Sequence, residues 1–389
     1  MSGKPLKTIE ALKLPAYEAV VDLQRKLHYV CSYSLEQNGR IHVPGTHHTE
    51  AALLLGPDFL PGIPPRFVQP LLPVELRKQP TRPNNTQPLE LDCRALPIPN
   101  PAFDFPTVDM YCTESTLTGL NKLAANYIED HGTARYHLYM IHDTLVVKRW
   151  YMTTEDGASG YTTNQTLQTL QEFTAACTTQ EGGLPADSRY FQTVQYRLGD
   201  LSCVVSGQRE AYLADPDSSS ETSLGHADEQ EALSPAVPEA YVVASGKMIS
   251  PDHLVMLGTL IDRASGKRRT QLSTRRKKIS SKAWFSGVVP LFWTVSSDEA
   301  HCIDVSHQKI RGTNVQKRAL RLASLILELK KAVRLSNNGV VAMTASKSKL
   351  EGVKIEIWEP EFDAKALEAI PENLHVPRSC FPEDFIRRF

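Results

Sequence analysis

The strongest periodic signal lies near the C-terminal end. Val315, Ala319, Leu322, Ile326, Leu329 and Val333 are separated alternately by four and three residues. That spacing draws one apolar stripe along a long helix and leaves Lys317, Arg318, Arg321 and Lys331 outside it. Asn338-Gly339 ends the pattern, and two strands are predicted to follow, over 340–344 and over 353–358, where Val-Lys-Ile-Glu-Ile-Trp alternates strictly. Earlier, two apolar runs flank His142-Asp143-Thr144 and predict a β-hairpin over 137–150. Another strand pair is expected over 190–213, turning at Leu198-Gly199-Asp200. Thr113 or Ser115 can cap a helix that carries Leu117, Leu120, Leu123 and Ala124. Residues 164–177 fit a helix through Leu167, Leu170 and Phe173, and strands are expected at 241–244 and 254–257. The opening stretch, 8–33, predicts a helix interrupted at Pro15, with Leu23, Leu27 and Val30 at helical spacing.

Between 42 and 105 the prolines crowd and periodicity fades, so an extended segment wrapping a core is expected. Residues 214–240 are acidic and serine-rich with few large apolar side chains, which predicts a disordered insertion. The resulting organisation has an N-terminal helix and proline-rich wrap over 1–110 and an α+β core over 111–389, with the insertion at 214–240 inside the core.

Charge and cysteine content narrow the function. Lys and Arg total 43 against 44 Asp and Glu, so any attraction to nucleic acid must be local. It is local at one place: Lys267, Arg268, Arg269, Arg275, Arg276, Lys277, Lys278 and Lys282 lie in a stretch without an acid between Asp262 and Asp298. Two basic clusters joined by a polar spacer fit a nucleic-acid surface, a nuclear-import signal or a solvated loop. The 7 cysteines are scattered with no Cys-x-x-Cys pair, which fits a reducing compartment. No apolar run reaches membrane-span length and no signal-peptide pattern opens the chain, so nucleus or cytoplasm is expected and no membrane partner. P-loop, dinucleotide-binding and serine-hydrolase motifs are all lacking. Thr46-His47-His48 beside Glu50 and the pair His301-Cys302 read as structural rather than metal-binding or catalytic.

Several segments resemble a group of fungal proteins that carry the label geranylgeranyl pyrophosphate synthetase. They are Pro61-Gly-Ile-Pro-Pro-Arg-Phe67, Pro88-Leu-Glu90 with Arg94-Ala-Leu96, Asn100-Pro-Ala-Phe-Asp104 with Val108-Asp109, Tyr196-Arg-Leu-Gly-Asp-Leu-Ser-Cys203 and Trp284-Phe-Ser286. The label does not fit the chemistry. Prenyl synthases hold diphosphate through magnesium on paired Asp-Asp-x-x-Asp motifs, and this chain contains no Asp-Asp pair. The group's core instead resembles PD-(D/E)XK nucleases, most closely the decapping nuclease (DXO) family. That resemblance implies a mixed β-sheet with flanking helices, a helix Glu, a strand Glu-x-Asp and a following strand Glu-x-Lys. Residues i and i+2 of a strand share a face, so each pair can reach one metal beside the scissile phosphate.

Transferred to this chain, those positions are degenerate. The helix acid falls on Thr174, with Glu172 two residues earlier on another helix face; the first strand pair falls on Gln208 and Glu210; the second falls on Met256 and Gly258. Glu210 alone remains as a weak metal ligand. The resemblance therefore implies a catalytically degenerate nuclease-like protein that binds or regulates, with RNA or a protein as partner and no cofactor. The alternatives are an active magnesium-dependent decapping nuclease or pyrophosphohydrolase with a migrated acid set, and an accessory protein of a fungal biosynthetic gene cluster.

Overall fold

The structure, a computed structural model, describes residues 4–18, 27–36, 40–43, 66–67, 74–75, 88–128, 133–149, 174, 178–179, 188–213, 242–244, 249, 253–262, 284–285, 288–296, 299–304, 313–336, 339–348 and 352–359. The strands are β1 (Lys7–Glu10), β2 (His28–Leu35), β3 (Ile41–Val43), β4 (Arg66–Phe67), β5 (Val74–Glu75), β6 (Met110–Thr113), β7 (Thr133–Ile141), β8 (Thr144–Arg149), β9 (Thr178–Thr179), β10 (Arg189–Leu198), β11 (Leu201–Arg209), β12 (Ala211–Tyr212), β13 (Val242–Ala244), β14 (Leu254–Asp262), β15 (Val289–Ser296), β16 (Glu299–Asp304), β17 (Val340–Ser348) and β18 (Gly352–Trp358). The helices are α1 (Pro88–Ala95), α2 (Glu114–Ala124) and α3 (Thr313–Val333). Among the described residues, an 11-stranded sheet runs β1-β18-β17-β7-β8-β6-β11-β10-β2-β3-β13, and a 7-stranded sheet runs β5-β16-β15-β14-β12-β4-β9. Both are mixed, and the fold is α+β.

α2 and α3 cover one face of the large sheet. Leu117, Leu120, Leu322, Leu325, Ile326 and Leu329 pack there on Met110, Leu138, Val147, Val205 and Ile355, all fully buried. The predicted stripe of α3 is thus the face it buries, from Ala319 to Val333. Thr113 caps α2, its Oγ1 accepting from the Thr116 N–H at 3.3 Å. α1 covers the opposite face, where Leu89, Cys93 and Leu96 meet Tyr111, Val146 and Val204. Buried Lys330 on α3 ties the helix to the loops at its end, with its Nζ 2.7 Å from Asp109 and 3.6 Å from Asp143. The hairpin β7–β8 turns at His142, whose φ is +49°. Its partner hairpin β10–β11 turns at Gly199, φ +66°, where a Cβ would lie 2.4 Å from the Tyr17 ring.

The N-terminal helix expected over 8–33 is a correction. β1, a short 3-10 turn at Ala11–Lys13 and β2 occupy its described part. Leu27 packs with the α2–α3 cluster and Val30 with the α1 cluster, so they share no stripe. β2 lies between β10 and β3 and is buried on both faces, which removes the alternation that would have marked it as a strand. The proline-rich stretch also contributes to the core: Pro88 opens α1, and Leu89, Leu96, Phe105 and Val108 are buried. β15 and β16 were not anticipated, and they place His301 and Cys302 on a strand paired with β15. The helix expected at 164–177, apart from Thr174, and the acidic stretch 214–240 lie outside the described residues.

Candidate functional site

The two sheets meet where the chain leaves β11 and enters β12. β11 belongs to the large sheet and pairs with β10 through Arg209 opposite Tyr190. One residue later the backbone joins the small sheet, with Ala211 opposite Val255 and Tyr212 opposite Leu254. Glu210 is the residue at this crossing. The other side of β12 pairs with β4 at Arg66, and β4 pairs with β9 at Thr178 and Thr179. Thr174 is helical and half-buried, and its carbonyl accepts from Thr178 Oγ1 at 2.7 Å. In the small sheet β14, which carries Met256 and Gly258, is followed by β12, β4 and β9, so the strands just after Glu210 and Thr174 lie in the same sheet as β14. The expectation that Gln208, Glu210, Met256 and Gly258 share one sheet needs correcting, because Gln208 lies on β11 of the large sheet while Met256 and Gly258 lie on β14 of the small one.

What these side chains offer differs sharply. Gln208 is exposed, on the face opposite Arg209. Glu210 is half-buried, with its Oε2 enclosed by protein. Met256 is 5% exposed and packs with Tyr190, Ile249, Leu254 and Val288. Gly258, paired with Phe292 on β15, has no side chain to give. A hard divalent cation needs several converging oxygens, close to octahedral for magnesium. One carboxylate, one exposed amide, a thioether in an apolar cluster and a glycine do not supply them, so these positions do not fit that metal. Among the described residues, no three His, Cys, Asp or Glu side chains gather as a metal site would require. The basic run 267–282, Glu172 and the histidines at 47 and 48 lie outside the described residues.

A buried charge pair stands on the reverse face of the same strand. Arg209 is 1% exposed, and its Nη1 donates to Glu114 Oε2 at 2.9 Å and to the Gln208 carbonyl at 2.8 Å. Glu114 is the first residue of α2, so the pair fixes the N-terminus of that helix to the end of β11. Gly207 makes room for it: a Cβ there would lie 2.5 Å from Glu114 Oε2 and 2.6 Å from Arg209 Nη1. Gly207→Ala should therefore lower stability by about 1–3 kcal/mol, the usual cost of overpacking. Chemical denaturation measures this, and an unchanged midpoint would mean the pair tolerates displacement.

Around the charge pair the sheet face is polar although enclosed. Register sets Tyr190 beside Arg209 and Ser34, and Gln192 beside Gly207 and Ser32, and all are buried. On the opposite face Asp92 of α1 is fully buried and accepts from Tyr111 at 2.8 Å and Ser206 at 3.0 Å. Desolvation raises its pKa to about 6, against the opposing pull of the hydroxyls that donate to it. Sequence reading missed both features. A polar residue at an inward strand position, as Arg209 and Gln192 are, was the available signal for the first; Asp92 inside an amphipathic helix was the signal for the second.

A family model described as "Domain of unknown function (DUF8563)" matches residues 6–377. The chain belongs to this family. No curated protein matches the sequence. Solved structures similar to this DUF8563 chain include Scheffersomyces stipitis Rai1, with a TM-score of 0.59 and 10% identity, covering 100% of this chain and 98% of that one. Candida albicans Rai1 in complex with pU5-Mn2+ has a TM-score of 0.55 and 11% identity, covering 97% and 98%. S. pombe Rai1 has a TM-score of 0.52 and 11% identity, covering 91% and 99%. At such identities the likeness is one of fold: this DUF8563 protein has the fold of the Rai1 structures.

Proposed function

We propose that this chain is a nuclease-fold protein that binds RNA and lacks metal-dependent cleavage. The observation that carries this reading is Met256. It stands where the resemblance expects a metal-binding carboxylate, yet its side chain belongs to the apolar cluster of Tyr190, Ile249, Leu254 and Val288. Gln208 and Gly258 replace the second acid and the lysine, leaving Glu210 alone. RNA is favoured as ligand because a fold relative, Candida albicans Rai1, was solved with pU5-Mn2+. A second relative, Scheffersomyces stipitis Rai1, was solved with (3'-NADP)+ and calcium ion. Attraction of the RNA backbone is assigned to the run from Lys267 to Lys282, and the site of action to the nucleus or cytoplasm. The label that names a prenyl synthase does not describe this chain.

Removing a single preorganised charge from a catalytic site typically costs about 10²–10³ in rate, and residues acting as one unit lose that jointly rather than additively. The purified chain, given 5'-phosphorylated or capped RNA with magnesium or manganese, is expected to show no turnover above its Glu210→Ala variant. It is expected to retain RNA in a filter-binding assay, with affinity falling as salt rises and falling further when Arg268, Arg269, Arg275 and Arg276 become Gln. Metal-dependent turnover that disappears in Glu210→Ala would replace this reading with an active nuclease built on migrated acids. No binding to RNA under any salt would leave a protein partner.

A further inference from the structure

Three cationic side chains of α3 converge on a pocket of about 250 Å³ lined by Lys317, Arg318, Arg321 and Ala125. Lys317 and Arg321 are one helical turn apart, and Arg318 lies three residues before Arg321, so the helix holds all three on one side. Lys317 and Arg318 are exposed and Arg321 is half-buried. Helix surfaces usually intersperse acids among such charges. Here the one acid in α3 is Glu328, whose two oxygens are engaged by Lys7 at 2.7 Å and Lys331 at 2.9 Å. Among the described residues, no acid lines the pocket.

The pocket is also held in shape. Arg321 donates to the Ala11 carbonyl at 2.5 Å and Ser324 to the Pro15 carbonyl at 2.8 Å, which fixes the N-terminal segment along the helix. Ala125, the C-cap of α2, contributes a small side chain. The carbonyls at that helix end carry partial negative charge, but Lys122 in the last turn offsets it and three full cations outweigh it. Two guanidinium forks and an ammonium facing one concavity match the tetrahedral oxygens of a phosphate group.

We propose that this pocket between α2 and α3 is an oxyanion site that takes a phosphate group, either of an RNA backbone or of a free small phosphate. It is distinct from the candidate site at Glu210. α2 starts at Glu114, which pairs with Arg209, and ends beside the pocket; its 11 residues put the two roughly 16 Å apart along the helix.

The test uses the full chain, the double variant Lys317→Gln/Arg318→Gln, and Lys331→Gln as an exposed cation on the same helix outside the pocket. Inorganic phosphate is expected to raise the melting temperature of the unaltered chain and of Lys331→Gln by mass action, and to have no such effect on the double variant. With 5'-phosphorylated oligouridine, the double variant is expected to flatten the slope of log affinity against log salt by roughly 1.4, at about 0.7 for each lost contact to a single strand. A phosphate response alone assigns a small anion, and a change in RNA slope assigns the backbone; either supports the site. The proposal is overturned if the double variant matches the unaltered chain in both measurements, or if Lys331→Gln lowers both as much as the double variant does.

Discussion

Glu114→Ala is expected to destabilise the protein by about 3–5 kcal/mol, the largest effect of any single change considered for the described core. The carboxylate faces Arg209 at 2.9 Å with side-chain exposures of 6% and 0%. Removing it leaves a buried guanidinium without its counter-ion and out of reach of water, so the loss exceeds that of a hydrogen bond. It also releases the first turn of α2 from the end of β11 and takes an acid from the helix N-terminus. Replacing both partners, as in Glu114→Leu/Arg209→Met, is expected to recover most of the loss, because no charge then remains buried. Urea unfolding of the single and double variants measures both values. A single-variant loss below about 1 kcal/mol would show that the pair is solvated and that α2 is seated by its apolar face alone.

The second large effect is on the pH dependence of stability. Burial raises the Asp92 pKa from 3.8 to about 6 in the folded chain. Below the unfolded value both states carry the proton and the group costs nothing. As pH rises from about 4 to about 6 the unfolded chain ionises first, so stability falls, and above the folded value the loss is complete. At about 1.4 kcal/mol per unit, this single group makes the fold of the order of 2–3 kcal/mol less stable at pH 7 than at pH 4. Asp92→Asn keeps an oxygen for Tyr111 or Ser206 and removes the titration. Its stability should therefore change less between pH 4 and pH 7 than that of the unaltered chain, by that amount. An equal fall in both proteins would assign the pH dependence to other groups, with Glu328 and Asp143 working in the opposite sense because their cationic partners hold their pKa values down.

Much of the architecture was legible because it obeys local rules. α3 shows its stripe, Thr113 announces α2, and His142 and Gly199 mark two hairpins whose strands run as expected. The strand at 254–257 was legible as well, since Leu254, Val255 and Leu257 form the apolar run of a buried strand with Met256 inside it and Gly258 directly after. β2 was not legible. Its alternation is erased by burial on both faces, and its Ser32 and Ser34 are polar where a core strand should be apolar. They face Tyr190 and Gln192 on β10, which carry polar groups too, and that matching exists only across strands.

By itself the sequence determined which side chains are on offer: Thr174, Gln208, Glu210, Met256 and Gly258 at the compared positions, and Lys317, Arg318 and Arg321 along α3 with Glu328 as that helix's one acid. Tertiary structure alone decided where they act. It sent the backbone from one sheet to the other at Glu210, turned Met256 into an apolar cluster and Gln208 into solvent, and closed Glu114 on Arg209 from 95 residues away. The physical reason is range. Helical stripes and turns are set by contacts within a few residues, whereas sheet pairing, burial and charge pairing depend on partners that the chain supplies only once it has folded.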